Sequence, residues 1–289
     1  MKIQEQAWAK LNLSLDVHGK LPNGYHDLTM VMASVDLHDD VEITLREDGV
    51  VVADSGLPWL PNDDRNLAVR AAKAFFAAAG MENAGADIRI KKRIPVGAGM
   101  AGGSTDAAAV LRGLNRLTGR GFSAEKLREI GLTLGSDVPY CVTGGMMLAQ
   151  GQGEILTPLP DMPPCHIVIC KPPFSISTGD LFARVDSRAS KTHPDTAGVI
   201  SALEQGDLKG LARRMFNVFE DVLPRRDGEI AVIRSKLLEH GAIGSVMTGT
   251  GSAVFGLYDS EAVAEKVYKQ LSKEYKDCFL TRAISAVEV

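Results

Sequence analysis

Between Ala7 and Val17 apolar residues alternate in part with polar ones, Leu11, Leu13 and Leu15 against Asn12, Ser14 and Asp16. That period of two predicts a half-buried β-strand. Residues 31–45 hold two more strand-like runs, parted by Asp36-Leu-His-Asp-Asp40. A Pro/Asn/Asp-rich turn over 58–64 leads into a helix predicted from Arg65 to Ala79, and a strand is predicted over 87–96. Ala107, Leu111 and Leu114 then repeat at helical spacing within a helix over 104–117, and Leu127, Ile130 and Leu134 do so in the next, over 123–134. Prolines are densest over 157–164, the best candidate for a domain boundary. Past it the pattern gives a buried strand at 166–171 and helical faces at Leu208/Leu211/Met215, Ile230/Ile233/Leu237 and Val263/Val267/Leu271. Strand-like runs at 245–247, 253–258 and 279–287 complete this half. Strands and helices mix without a strict βαβ alternation, so the chain reads as α+β in two lobes, residues 1–157 and 165–289.

The densest chemistry lies where strand turns into helix, at Pro95-Val-Gly-Ala-Gly-Met-Ala-Gly-Gly-Ser-Thr-Asp-Ala107. Four glycines let backbone approach a ligand, and the helix that follows offers free N–H groups and a positive dipole end to phosphate. Gly97, Gly99 and Gly102 literally match the dinucleotide G-x-G-x-x-G, but that fingerprint needs a second strand ending in an acid. A second helical run follows instead. A Walker A loop is excluded because Ser104 follows Gly103 with no lysine between. Glycine-rich turns also simply join strand to helix. Ser104 and Thr105 favour the phosphate reading, since hydroxyls there cap N–H groups, touch phosphate or ligate Mg²⁺.

Composition narrows the classes. Hydrophobic residues are 45% and charged ones 24%, the balance of a globular protein. A net charge of −4 and a pI near 5.9 speak against a nucleic-acid partner. Lys91-Lys92-Arg93, the one tight basic run, reads as a solvated strand end whose place could draw in anions. The four cysteines show no metal spacing and fit thiols in a reducing cytosol. No stretch is apolar enough to span a membrane, and residues 1–5 carry no leader signal, so a cytoplasmic protein is expected.

Three further features each have a bland reading. Lys10 and Asn12, two apart on one strand face, fit a strand edge; Asp137, in Gly135-Ser-Asp-Val-Pro139, fits a helix N-cap; Thr248-Gly-Thr-Gly-Ser252 fits a turn. Together with the Pro95 loop they resemble the GHMP kinases, the superfamily of galactokinase, homoserine kinase and mevalonate kinase. Within it, Ala9-Lys-Leu-Asn-Leu13, Pro22-Asn-Gly-Tyr-His26, Gly99-Met-Ala-Gly-Gly-Ser-Thr-Asp106 and Gly135-Ser-Asp-Val-Pro139 are similar to the 4-diphosphocytidyl-2-C-methyl-D-erythritol kinase family. The match runs in order over essentially the whole chain. Trp8, Met100, Thr105 and Thr250 depart from the usual Pro, Leu, Ser and Ser of that family while keeping size or a hydroxyl.

The resemblance implies a two-lobed GHMP kinase fold, an N-terminal ATP-binding lobe and a C-terminal ferredoxin-like α/β lobe. It implies ATP-dependent phosphorylation of a 2-hydroxyl in the non-mevalonate isoprenoid pathway, with Mg²⁺ accompanying ATP. Pro95, Gly97, Gly99, Met100, Ala101, Gly102, Gly103, Ser104 and Thr105, with Thr248, Gly249, Thr250 and Gly251, would surround the nucleotide, and Asn66 would approach its adenine. Ser104 or Thr105 would meet Mg²⁺. Asp137 would take the hydroxyl proton beside Lys10, whose ammonium favours both an ionised carboxylate and the transferring phosphoryl. Tyr25 and Phe182 would stack the cytosine, His26 would read its polar edge, and Asn12 and Thr178 would complete the acceptor site. The family's behaviour implies a monomer or weak homodimer. Two other readings stand beside this one: another GHMP small-molecule kinase, for homoserine, mevalonate or a sugar, and a GHMP-fold metabolite sensor without turnover.

Overall fold

The computed structural model describes residues 1–188, 192–224 and 228–289. Strands β1 (Lys2–Lys20) and β2 (His26–Arg46) form a long antiparallel hairpin with three register shifts. There follow β3 (Val51–Asp54), α1 (Leu67–Ala78), β4 (Gly85–Lys91), α2 (Gly102–Thr118), α3 (Ala124–Leu132), α4 (Val138–Thr143), β5 (Met147–Gly151) and β6 (Ile155–Pro158). The second half contributes β7 (His166–Lys171), α5 (Thr178–Asp186), α6 (Thr196–Glu204), α7 (Leu208–Arg214), β8 (Phe216–Asn217), α8 (Glu229–Glu239), β9 (Gly244–Met247), β10 (Val254–Tyr258), α9 (Glu261–Leu271), β11 (Asp277–Thr281) and β12 (Ala283–Ile284).

The first sheet runs β3-β4-β2-β1-β8, with β5 and β12 also paired to β2 and β6 to β5. The second is antiparallel, ordered β11-β7-β10-β9. Numbered by sequence its strands lie 4-1-3-2, with α8 between the first two and α9 between the last two. That is the ferredoxin-like arrangement, and the α+β, two-lobed expectation stands.

Local differences have physical causes. The strand expected to be half-buried is covered on both faces: Leu11 and Leu13 pack in the core, while Lys10, Asn12, Ser14 and Asp16 are buried too. Polar side chains on a covered strand need partners or a function. The two runs over 31–45 are one strand, because β1, β4 and β5 all pair with it. Its polar middle survives burial since Asp39 accepts from Lys92 Nζ and from the backbone N–H groups of Arg93 and Ile94. The strand expected over 87–96 ends at Lys91 for the same reason: beyond it those N–H groups turn to Asp39. The run expected over 279–287 divides between sheets, β11 pairing with β7 and β12 with β2. An apolar pattern does not say which sheet a strand joins.

One buried cation positions the site. Arg112 of α2, fully buried, donates to Cys141 O and Val142 O near the C-terminus of α4, and to Gln6 O. Glu5 balances its charge and Trp8 lies 5.2 Å from its guanidinium. It thereby fixes the short helix that carries Asp137 at its head.

Candidate active site

The segment 95–103 forms one wall of a cavity of about 770 Å³. Left-handed backbone at Gly97 (φ 65°), Gly99 (75°) and Ala101 (60°) alternates along it. Such alternation turns successive N–H groups into one concavity, an anion nest. The N-terminus of α2 follows directly and adds its unpaired N–H groups and dipole. Ala101, the N-cap of α2, is a non-glycine residue in the left-handed region, a strain of about 1–2 kcal/mol of the kind held at functional sites. The expected hydroxyl capping is absent: no side chain caps α2, and Thr105 Oγ1 turns inward to donate to Gly102 O (2.9 Å). Thr105 is buried away from the cavity, whereas Ser104 borders it.

The second glycine loop clasps the first. Ala253 N donates to Ala98 O (3.2 Å), and Thr248 Oγ1 to Gly99 O (3.3 Å). A Cβ on Gly99 would fall inside the van der Waals envelope of Thr248 O. Thr248 itself is buried, while Gly249, Thr250 and Gly251 border the cavity. Thr250 and Thr178 join through their hydroxyls (3.0 Å), linking this loop to the head of α5. Buried Asn217 holds the loop from behind, its Nδ2 donating to Met247 O and Gly249 O, both 2.7 Å. No motif in the sequence marked Asn217.

Two opposite charges open onto the same space. Lys10, 4% exposed, borders the cavity, and its Nζ donates to Asn12 Oδ1 at 2.5 Å. Its backbone N–H donates to Met100 O, which ties β1 to the phosphate loop. Asp137 borders the cavity as the N-cap residue of α4; its backbone carbonyl accepts from Cys141 N, yet its carboxylate caps nothing and makes no hydrogen bond or ion pair among the described residues. Asn12 differs from expectation. It is 0% exposed, and its Oδ1 meets Lys10 and Thr248 Oγ1, so it aims the lysine rather than facing the cavity. Asn66 differs too: it borders the cavity, but its amide is engaged as the N-cap of α1 by Ala68 N and by Pro61 O.

The basic run contains a residue that composition misread. The Lys92 side chain is only 8% exposed rather than solvated, and bridges Asp39 (2.5 Å) and Asp106 (2.7 Å) beneath the loop. Burial works to lower its pKa, and the charges of Asp106 and Asp39 outweigh that and hold it above its ordinary value. The Asp106 carboxyl is pushed up to about 8, chiefly by burial and further by the charge of Asp39, with Lys92 opposing. Asp106 borders the cavity and its Oδ1 is buried without a hydrogen-bond partner. Ser104 and Asp106 therefore supply the oxygen donors that suit a hard cation.

The aromatic residues line the same cavity. His26 stacks on Phe182 with ring centroids 4.2 Å apart, and its Nε2 donates to Asp186 Oδ1 (2.9 Å). Tyr25 stands 56% exposed at the rim. Tyr25 and Phe182 do both line the cavity, but His26 occupies a face of Phe182 and one of its ring nitrogens is engaged. The structure thus gathers Lys10, Tyr25, His26, Pro95, Gly97, Gly99, Met100, Ala101, Gly102, Gly103, Ser104, Asp137, Thr178 and Phe182 around one space.

Comparison with known proteins agrees with this architecture. Residues 66–145 match the model for the GHMP kinases N terminal domain and 199–277 that for the GHMP kinases C terminal domain. A 4-diphosphocytidyl-2-C-methyl-D-erythritol kinase of Alkaliphilus metalliredigens is 40% identical over 284 residues, covering 98% of this chain and 97% of the relative. One of Brevibacillus brevis is 41% identical over 288 residues, covering 100% and 98%. A crystal structure of 4-(cytidine 5'-diphospho)-2C-methyl-D-erythritol kinase superposes with a TM-score of 0.80 at 30% identity, covering 97% of this chain and 99% of that one. With the glycine nest, the facing Lys10 and Asp137 and the aromatic rim already in place, these matches show that the chain belongs to the GHMP kinases, in the 4-diphosphocytidyl-2-C-methyl-D-erythritol kinase family.

Proposed function

We propose that this chain transfers the γ-phosphoryl group of ATP to the 2-hydroxyl of 4-diphosphocytidyl-2-C-methyl-D-erythritol in the cytoplasm, giving the 2-phosphate and ADP. The observation that carries the reading is an unpartnered carboxylate and a buried ammonium opening onto the same cavity as the anion nest.

Phosphoryl transfer asks a protein mainly to align the reactants and offset charge. The N–H groups of the 95–103 nest and the head of α2 bind the ATP phosphates. Asp137 accepts the proton of the acceptor hydroxyl, its carboxylate making no hydrogen bond among the described residues. Lys10, aimed by Asn12, lays its ammonium against the negative charge that develops on the transferring group. Ser104 and Asp106 would hold the Mg²⁺ that accompanies ATP, whose chemistry is to neutralise phosphate charge. Tyr25, His26 and Phe182 give a planar base aromatic faces, and Thr178 sits between that end and the second loop.

Stacking of a base is worth about 1–3 kcal/mol, so Phe182→Ala should raise KM for the cytidyl substrate about 10- to 100-fold. Steady-state kinetics should show KM for ATP unchanged. An equal rise in both KM values, or in neither, would remove the aromatic end from acceptor recognition.

A further inference from the structure

Outside the cavity, Asp16, His18 and His193 bring a carboxylate and two imidazoles together, their ligand atoms all within 4.8 Å of one another. Asp16 and His18 lie two apart on β1, and the register shift between Val17 and Gly19 falls on His18. Such bulges re-aim side chains. His193 comes from the connection between α5 and α6, far away in sequence. Its Nδ1 donates to Asp16 Oδ1 and Oδ2 at 3.0 and 2.9 Å, and His18 Nδ1 lies 3.7 Å from Asp16 Oδ2.

We propose that Asp16, His18 and His193 form a binding site for one divalent transition-metal ion of the Zn²⁺, Co²⁺ or Ni²⁺ class. Three observations carry it. The donor atoms lie within 4.8 Å of one another, close to the spread of three donors set about 2.0–2.2 Å from a common ion. The donor set of two imidazoles and one carboxylate selects borderline metals rather than Mg²⁺, which prefers all-oxygen shells. The outer contacts that aim His18 and Asp16 are already made. His18 Nε2 meets Thr29 Oγ1 at 2.8 Å, which suits the tautomer whose Nδ1 carries the lone pair, and Val17 N donates to Asp16 Oδ1 at 2.8 Å. Asp16 is 4% exposed, whereas the side chains of His18 and His193 are 43% and 54% exposed, so the site has a buried anchor and an open entry. A bound ion displaces the proton that His193 gives Asp16 and joins the α5–α6 connection to β1 by coordination. Since α5 carries Phe182 and Asp186 and β1 carries Lys10, that join braces the two sides of the acceptor end.

The test is calorimetric titration of Zn²⁺ and Co²⁺ into untagged protein without nucleotide, with the visible spectrum of the Co²⁺ form. One equivalent should bind, with no thiolate charge-transfer band from the cysteines. His193→Ala, at a half-exposed position outside the catalytic machinery, should abolish that equivalent and leave Mg-ATP turnover in buffer free of transition metals unchanged. His18→Ala should abolish it as well, and Thr29→Val should weaken binding about 10- to 100-fold through the lost orientation of His18. No binding to the wild type, undiminished binding to His193→Ala, or a thiolate band would each overturn the site.

Discussion

Asp137→Asn should lower kcat about 10²- to 10⁴-fold, the usual worth of a general base, while leaving ATP affinity unchanged. The substitution separates chemistry from structure. Asn caps helices about as well as Asp, so any service Asp137 gives α4 as its N-cap residue survives the change. Its side chain makes no cap bond in any case, and thermal unfolding should move little. Steady-state turnover beside equilibrium nucleotide binding reads both halves. Turnover equal to wild type would take Asp137 out of the proton-accepting role; a parallel loss of ATP binding would make it part of the nucleotide site instead.

Gly99→Ala should damage both fold and activity with a single methyl. The added Cβ meets the backbone oxygen of Thr248, which has little room to retreat because the second loop is held by Asn217 and by the Ala253–Ala98 hydrogen bond. The backbone at Gly99 is also left-handed, which costs an L-residue about 1–2 kcal/mol, and overpacking adds about 1–3 kcal/mol. A destabilisation of about 2–5 kcal/mol is therefore expected in denaturant melts. The nest displaced by the methyl should lose about 100-fold in kcat/KM for ATP, since shifts near 1 Å at reacting groups have that effect. Ser104→Ala offers the contrast: it removes a hydroxyl from the same segment without a steric demand and should leave the fold intact. A Gly99→Ala variant as stable as wild type with normal ATP kinetics would mean that the clasp between the two glycine loops is dispensable.

Much of this was legible in the sequence because local rules carry it. The alternation of β1, the glycine spacing of 95–103 and the helical faces of α2 and α3 follow from period and turn chemistry, and the family motifs tie four distant segments together. What was not legible depends on partners far away in the chain. Lys92 reads as solvated until Asp39 and Asp106 close around it. Asn12 reads as a ligand contact until Thr248, 236 residues on, shuts it in. Ser104 and Thr105 look interchangeable, and only the winding of α2 turns one hydroxyl to the cavity and the other onto Gly102 O. Asn217 and Arg112, which hold the second loop and α4 in place, stand outside any motif, so nothing local announces them.

The central claim is that one cavity joins a phosphate nest, a carboxylate base and a base-stacking end. Its most direct test is ADP release from Mg-ATP with 4-diphosphocytidyl-2-C-methyl-D-erythritol, mevalonate, homoserine and galactose offered separately. Turnover with the cytidyl acceptor, and only background with the other three, is the predicted result. Turnover with one of those three in its place, or ATP binding with no turnover on any acceptor, would contradict it.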